Sequence, residues 1–212
     1  MISFRFLRVW AFASFLAFFG TLPATAGPVS YRVSVDTSEF ALTAGYIDFQ
    51  FNPFIVGGAV ARATVSDFSG DLTLDGTPTL DGGAVGALPD PQSFINTDVL
   101  NASLQAVMFG NGFSFDLTLD GPLSGSDDPT AFFLGIYDLA FSPILGADDL
   151  TGLSLGFLLR GGSVPEVTSF DDSITVTPLN AIPEPASAIL VLLALGALGM
   201  SGKMRHLKKL MA

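Results

Sequence analysis

The chain has 212 residues, of which 49% are hydrophobic and 14% are charged, so it is too apolar for a disordered protein and has the length of one ordinary domain with additional segments. Residues 27–182 contain three arginines against nineteen acidic residues, and so acidic a stretch does not bind nucleic acid by neutralising phosphates. The chain has no cysteine and its single histidine is His206, so residues 27–182 lack the groups for a Ser-His-Asp or Cys-His catalytic site, a thiolate metal site or a disulfide.

The first predicted element is a secretory signal peptide over residues 1–26. Arg5 and Arg8 give it a positive start, and an apolar run over residues 9–22 follows. The small residues Ala24 and Ala26 fit a signal peptidase, which predicts cleavage before Gly27. A retained membrane helix is the alternative, but the run has about fourteen residues against the ~20 that a spanning helix needs.

Residues 27–182 predict an ectodomain made of short strands. Apolar residues alternate with period two, and Gly, Pro, Asn and Asp separate the segments. Thr130–Asp138 is apolar on both faces, which predicts a central strand. The clearest alternation predicts a strand over Gly112–Asp120, where Phe113, Phe115, Leu117 and Leu119 alternate strictly with polar residues. The other clear segments have predicted buried faces formed by Tyr31, Val33 and Val35, by Ile47, Phe49 and Phe51, by Leu153, Leu155, Phe157 and Leu159, and by Ile174 with Val176.

About nine strands with a phenylalanine-rich interior and an acidic exterior predict an all-β fold, an antiparallel β-sandwich of jelly-roll type. A right-handed β-solenoid is the alternative, although no fixed repeat supports it. The best candidate for a helix is Ser103 to Phe109. The segment Asp71-Leu-Thr-Leu-Asp75-Gly76 recurs at residues 116–121, which indicates either duplicated Greek keys or, as we favour, two strands that end in the same Asp-Gly turn.

Paired aspartates are the candidate metal ligands. They occur in turns at Asp127-Asp128, Asp148-Asp149 and Asp171-Asp172, and oxygen ligands from loops suit Ca²⁺. The sequence has no EF-hand loop and no calcium-binding nonapeptide repeat. We therefore interpret these residues as solvated turn acids and predict no cofactor, with structural Ca²⁺ as the alternative.

Two functions of the ectodomain depend on its carboxylates and aromatic residues. Glycoside hydrolysis needs two carboxylates, and Glu39 and Glu166 are the only glutamates in residues 27–182. Sugar clefts also use Trp or Tyr platforms, whereas the processed chain would have no Trp and three Tyr residues. We therefore predict that the protein is not an enzyme. A carbohydrate-binding module is the alternative to a structural role, with Tyr46, on the polar side of its strand, as its first candidate residue.

The last predicted element is a tripartite tail over residues 183–212. Pro183-Glu184-Pro185 is followed by seventeen uncharged residues, 186–202, and then by a basic end, 203–212. The apolar run would span ~25 Å as a helix, which is marginal for a bilayer core of ~30 Å. The positive-inside rule places the basic end in the cytoplasm and the acidic domain outside. The basic residues of this end are Lys203, Arg205, Lys208 and Lys209.

A plain single-pass anchor is one interpretation of this tail. An amphipathic helix is excluded, because apolar residues from Ile189 to Leu195 would surround the whole helix. The two prolines hold Glu184 in an extended, helix-free segment, a shape that a protease or transpeptidase cleft engages. Pro185 would equally suit the first turn of the helix that follows.

The tail resembles the PEP-CTERM sorting signal, which combines a Pro-Glu-Pro motif, an apolar helix and a basic terminus in an exported protein of Gram-negative bacteria. The family often has a tighter arginine cluster than this chain. The resemblance implies that a membrane transpeptidase called exosortase processes an inner-membrane-anchored precursor and that the product reaches the cell surface or matrix, often beside exopolysaccharide. Tyr31 to Pro53 also resembles the start of an ectodomain that recurs among such proteins, without indicating its activity.

Overall fold

The computed structural model describes residues 27–121, 128–148, 151–161 and 164–179. The predicted signal peptide, its cleavage site up to Ala26 and the whole tail from Pro183 onward lie outside the described residues. Asp127 and Asp149 of the aspartate pairs also lie outside them. Within the ranges given, no helix has the length and apolar character that crossing a bilayer requires.

The described residues form twelve strands and one short 3₁₀ turn, Ser38–Phe40. The strands are β1 Val29–Asp36, β2 Ala44–Pro53, β3 Arg62–Gly70, β4 Thr73–Asp81, β5 Ala84–Val85, β6 Gln92–Ile95, β7 Ala102–Met108, β8 Gly112–Asp120, β9 Thr130–Asp138, β10 Leu155–Leu159, β11 Glu166–Ser169 and β12 Ile174–Pro178.

The strands pair in two six-stranded antiparallel sheets. Sheet A has the order β12-β1-β8-β3-β6-β5, and sheet B has the order β11-β10-β9-β2-β7-β4. Between β1 and β8 the pairing is nested, since β1 pairs with β8, β2 with β7 and β3 with β6. This architecture confirms the all-β prediction and is that of a sandwich of two sheets. The antiparallel pairing excludes a right-handed solenoid, whose strands would pair in parallel.

The period-two pattern is confirmed where it is strictest. β8 and β9 have the bounds that the sequence predicts, and β9 lies inside sheet B between β10 and β2, as a central strand does. β1, β2, β10 and β12 also place their predicted apolar residues towards the core, with Leu153 just before β10. Four of the additional strands, β4, β5, β6 and β11, are short or exposed, and such segments give little hydrophobic periodicity.

One hydrophobic core fills the space between the sheets. The ring of Phe49 in sheet B contacts that of Phe115 in sheet A, with centroids 5.1 Å apart, and Phe132 of sheet B contacts Phe94 of sheet A at 6.3 Å. Such edge-to-face contacts stabilise by ~0.5–1.5 kcal/mol beyond the buried area. Aromatic contacts therefore join the two sheets directly. The fully buried phenylalanines are Phe49, Phe51, Phe94, Phe109, Phe115, Phe132 and Phe157.

The helix predicted over Ser103 to Phe109 is wrong, because this segment forms β7. Its inward residues include Ser103 and Gln105, which are buried polar side chains, so the usual pattern of apolar inward residues is interrupted. Gln92 on β6 donates a hydrogen bond from Nε2 to Ser103 Oγ at 2.9 Å. The Ser103 hydroxyl and the side-chain N–H groups of Gln92 and Gln105 therefore have partners on other strands, which periodicity does not reveal, whereas Oε1 of both glutamines has no partner among the described residues.

The prediction that both copies of the repeated segment end in an Asp-Gly turn is wrong for the first copy. Gly76, at φ +66°, lies inside β4, and the register with β7 shifts between Asp75 and Thr79. Gln105 donates from Nε2 to the Asp75 and Gly76 carbonyls, at 3.1 and 3.3 Å, and so satisfies the backbone of this bulge. The copies also occupy unlike positions, since β4 is an edge strand and β8 an interior one, which gives no support to duplicated Greek keys.

We expect Phe132→Ala to lower the free energy of unfolding by about 3–5 kcal/mol, because the fully buried ring contacts Phe49, Phe94 and Phe157 and its removal leaves a cavity. Phe54→Ala is the matched control, since Phe54 is 62% exposed and its loss should cost about 0.5 kcal/mol or less. Urea unfolding of the purified protein measures both. Equal midpoints for the two variants would contradict the role assigned to the inter-sheet rings.

Candidate ligand site

The paired aspartates act as turn caps where the structure describes them. Asp171 accepts hydrogen bonds from the backbone N–H of Ser173 at 2.7 Å and of Gly146 at 2.5 Å, and these bonds lower the pKa of its carboxyl. Asp148 accepts from the backbone N–H of Thr151 at 3.0 Å and from its hydroxyl at 2.7 Å. In the part of the chain that the structure covers, no three His, Cys, Asp or Glu side chains are grouped to hold a metal ion.

The two glutamates considered for hydrolysis lie on different elements. Glu39 is exposed in the 3₁₀ turn after β1. Glu166 is exposed at the start of β11, where it lines a groove of about 320 Å³ together with Phe133 and Arg160. Neither glutamate lines the larger cleft described next.

A cleft of about 370 Å³ lies on the outer face of sheet B, the face turned away from the core. We call it the outer cleft. Strand register assembles it, because Asp48 of β2 lies opposite Gly135 of β9, while Gln50 lies opposite Ala102 of β7, which in turn pairs with Asp81 of β4. Alternate residues of a strand share one face, so these side chains are brought together although they are far apart in sequence. Its lining includes Asp48, Gln50, Asp81, Leu104, Tyr137 and Phe141.

Three aromatic rings, those of Tyr46, Tyr137 and Phe141, contact one another at the outer face of sheet B. Tyr46 and Phe141 are stacked, with centroids 4.7 Å apart and planes 6° from parallel. Tyr137 lies 6.3 Å from Phe141 at an angle of 48°. Phe141 nevertheless stays 55% exposed, so the aromatic group is not sealed into the fold. The predicted outward orientation of Tyr46 is confirmed, and the structure adds two rings to it.

A tight turn after β9 presents Phe141 to the cleft. Asp138 accepts hydrogen bonds through Oδ1 from the backbone N–H of Ala140 at 2.8 Å and of Ser142 at 2.9 Å. The backbone N–H of Phe141 also donates to the Asp138 carbonyl at 3.1 Å. Phe141 itself has φ +60°, a left-handed conformation that a bulky residue rarely adopts. Non-glycine residues held in this way concentrate at ligand-binding positions.

Gly135 makes room for the ring of Tyr137. A Cβ atom at position 135 would lie 2.5 Å from the Tyr137 ring and from its hydroxyl oxygen, so any larger residue would displace the ring. The ring thus lies across position 135, directly beside Asp48 on the neighbouring strand. Burial raises the pKa of Tyr137, and the negative charge of Asp48 raises it further.

Asp48 is the most confined charge of the outer cleft. Its side chain is only 9% exposed, and its Oδ2 accepts a hydrogen bond from Gln50 Nε2 at 2.6 Å, while Gln50 Oε1 accepts from Asn52 Nδ2 at 2.9 Å. Burial raises the pKa of Asp48, the hydrogen bond from Gln50 lowers it, and the charge of Asp81 raises it. Among the described residues, none donates a hydrogen bond to Asp48 Oδ1.

Positive charge is missing from the described lining of the outer cleft. Arg32 of sheet A instead forms an ion pair with Asp116, with 2.5 Å between Nε and Oδ1. Arg62 of sheet A donates from NH1 to Ser93 Oγ at 2.7 Å. The cleft therefore combines two carboxylates, one amide and aromatic rings without a cation from its own lining, an arrangement that attracts a positively charged or hydrogen-bonding ligand.

The comparison with known families concerns the tail. A family model described as the PEP-CTERM protein-sorting motif matches residues 181–205. The chain carries the PEP-CTERM sorting motif. The match includes Pro183-Glu184-Pro185 and extends to Arg205, which confirms the resemblance found from the sequence. The motif implies export and sorting to the cell surface in Gram-negative bacteria, with an exosortase-type enzyme as processing partner. No curated protein and no solved structure is significantly similar to the chain.

The PEP-CTERM match and the outer cleft occupy separate parts of the sequence. The match begins at residue 181, whereas the cleft is lined by residues between Asp48 and Phe141. The motif therefore concerns the sorting of the protein, and the chemistry of the cleft has to be explained from its own residues. The sequence interpretation missed Asp48, Tyr137 and Phe141 as a group, although the apolar residues Leu139 and Phe141 between Asp138 and Ser142, just after a predicted strand, are a visible signal.

We expect Asp48→Asn to stabilise the protein at pH 7 by about 1 kcal/mol, because the variant no longer holds a buried charge. The pKa of Asp48 is raised on folding, so the wild type takes up a proton and regains stability as the pH falls through the folded pKa. The difference between the two proteins should therefore shrink towards pH 4. Urea unfolding at both pH values measures it.

Asp171→Asn is the matched control for this experiment. Its pKa is lowered by hydrogen bonds from two backbone N–H groups, so its carboxylate stabilises the fold above the unfolded pKa and this contribution is lost as the pH falls through the folded pKa. The control variant should be less stable than the wild type at pH 7, the opposite sign. An Asp48→Asn protein that is also destabilised at pH 7 would refute the assignment of Asp48 as a strained charge.

Proposed function

We propose that the protein is an exported, non-catalytic component of the cell surface or extracellular matrix, sorted and processed by an exosortase-type transpeptidase and associated with exopolysaccharide. The match of residues 181–205 to the sorting motif carries this proposal. Signal peptidase would first remove residues 1–26, with Ala24 and Ala26 before the cut and Gly27 after it. Residues 186–202 would then hold the precursor in the inner membrane, with the basic end in the cytoplasm.

The ectodomain supports a structural role on physical grounds. Apart from Asp48 and Asp116, its described acidic residues cap turns or face solvent, which keeps a surface hydrated and soluble. Its core is built from phenylalanines that join two sheets, which suits a stable spacer. We also infer from the nested pairing of β1 to β8 that the sandwich is jelly-roll-like, with β9 to β12 added at its sides.

The sorting proposal predicts that Glu184→Ala, or deletion of residues 203–212, blocks maturation. The first change removes the acidic residue held between two prolines, and the second removes the charges that fix the orientation of the tail. Glu166→Ala, an exposed change on β11, is the control and should mature normally. Intact mass of the protein from its own host, with and without the processing enzyme, measures the result. A wild-type mass that still extends to Ala212 would refute the proposal.

We propose saccharide binding as a second candidate function, because the outer cleft places exposed aromatic rings beside hydrogen-bonding groups. Sugar-binding sites combine these features, since ring faces pack on the C–H groups of a pyranose and polar side chains bind its hydroxyls. Phe141 and Tyr137 would supply the faces, and Asp48 and Gln50 the polar contacts. This function needs no catalytic group and is compatible with delivery to the polysaccharide matrix.

We expect Phe141→Ala to weaken binding to the host exopolysaccharide about two- to tenfold, because the loss of one aromatic contact is worth ~0.5–1.5 kcal/mol. Phe54→Ala removes a similarly exposed ring outside the cleft and should leave binding unchanged. Isothermal titration calorimetry on the full-length protein in detergent measures the affinities. No heat with the wild type, or an equal loss in both variants, would eliminate saccharide binding at this cleft and leave the structural role.

A further inference from the structure

The outer cleft contains an almost buried carboxylate, that of Asp48, in which only one of the two oxygens accepts a hydrogen bond from a described residue. Asp48 Oδ2 accepts a hydrogen bond from Gln50, whereas no described residue donates to Oδ1. Asp81, from β4, lines the same cleft and adds a second negative charge. A carboxylate buried to this extent, with one hydrogen bond and no cation beside it among the described residues, is unfavourable, so folding alone gives no reason to place Asp48 here.

The positive charges of the domain are placed elsewhere. Arg32 pairs with Asp116 on sheet A, Arg62 contacts Ser93 on sheet A, and Arg160 lines the separate groove beside Glu166. The other elements that meet at the cleft contribute Leu104 from β7 and the phenol of Tyr137 from β9, and neither supplies a cation at neutral pH. No cation of the described residues therefore lies beside Asp48, which leaves its negative charge available to a positively charged ligand.

The aromatic rings favour the same kind of ligand. An ammonium group is attracted to the face of Tyr or Phe by ~0.5–2 kcal/mol, depending on how far it is desolvated. Phe141 and Tyr137 line the cleft together with both carboxylates, and the ring of Tyr46 stacks on that of Phe141. The turn that holds Phe141 and the space left by Gly135 fix these rings before any ligand binds.

Other ligand classes fit less well. An acidic saccharide would bring a third negative charge towards Asp48 and Asp81, which is repulsive. A calcium ion requires six to eight oxygen ligands, and no group of three acidic side chains is present among the residues that the structure describes. A neutral saccharide could use the rings but would leave the charge of Asp48 without a counter-charge.

We propose that the outer cleft binds an amino sugar through its free ammonium group, which lies against Asp48 and Asp81 while the sugar ring packs on Phe141 and Tyr137. The proposal rests on the saccharide-binding function and names its substrate class. The cleft volume of about 370 Å³ is at the lower end of small-ligand sites, so the cleft takes one or two sugar units of a longer chain. Gln50 is placed to bind a hydroxyl of the same unit.

Two disaccharides that differ only at nitrogen test the proposal. The first is the β-1,4-linked disaccharide of glucosamine, whose amines are protonated at pH 6, and the second is its N,N′-diacetyl form, which carries no charge. Calorimetry on the full-length protein in detergent should show at least tenfold tighter binding of the first. Asp48→Asn should remove this preference by weakening only the charged ligand, and raised ionic strength should weaken it as well. Phe54→Ala is the control and should keep the preference.

The outcomes separate this inference from the functions on which it rests. Equal binding of the two disaccharides, or tighter binding of the acetylated one, overturns the ammonium assignment and leaves saccharide binding standing. No binding of either, together with no binding of the host exopolysaccharide, overturns both. A preference that survives in Asp48→Asn refutes the role of Asp48, and circular dichroism of the variant shows that it is folded. None of these results bears on the sorting motif.

Discussion

The packing of phenylalanine rings between the two sheets is the constraint on which the rest of the domain depends. Because side chains alternate along a strand, burial of Phe49 on β2 forces Asp48 and Gln50 onto the opposite face. The same rule on β9 buries Phe132 and turns Tyr137 outward. A slip of one residue in either strand would expose the rings and bury the polar set, so the core fixes the register and the register assembles the outer cleft.

The sequence predicts those parts of the fold in which one strand alone carries the pattern. β8 alternates strictly and β9 is apolar on both faces, so their bounds followed from local sequence. β7 did not, because Ser103 and Gln105 point inward, where Ser103 Oγ accepts a hydrogen bond from Gln92 and Gln105 Nε2 donates to the bulge of β4. A buried polar residue is recognisable only once its partner is known, and partners from other strands are a property of the tertiary structure.

The candidate site likewise has one part that the local sequence predicts and another that depends on the tertiary structure. The outward orientation of Tyr46 follows from its strand, whereas its stacking on Phe141 depends on a turn whose backbone has a left-handed residue. Nothing in the local sequence pairs Asp48 with Gly135, yet this pairing gives the Tyr137 ring its place. The sorting motif was accessible from the sequence for the opposite reason, since Pro183-Glu184-Pro185 and the segments after it are contiguous.

The acidic residues of the domain differ in their effect on stability, since several stabilise the fold and Asp48 does not. Asp116 is paired with Arg32, and Asp171 and Asp138 accept hydrogen bonds from backbone N–H groups, so these carboxylates support the fold that they belong to. Burial raises the pKa of Asp48, so its charged form destabilises the fold. Phe141, which lines the same cleft, has a left-handed backbone conformation, which is also unfavourable. Unfavourable features of this kind cluster at functional sites, where the surrounding structure holds them in place. Since the sorting motif lies in residues 181–205 and the outer cleft lies on sheet B, the proposed delivery and the proposed binding depend on different residues, and we expect a change in one to leave the other intact.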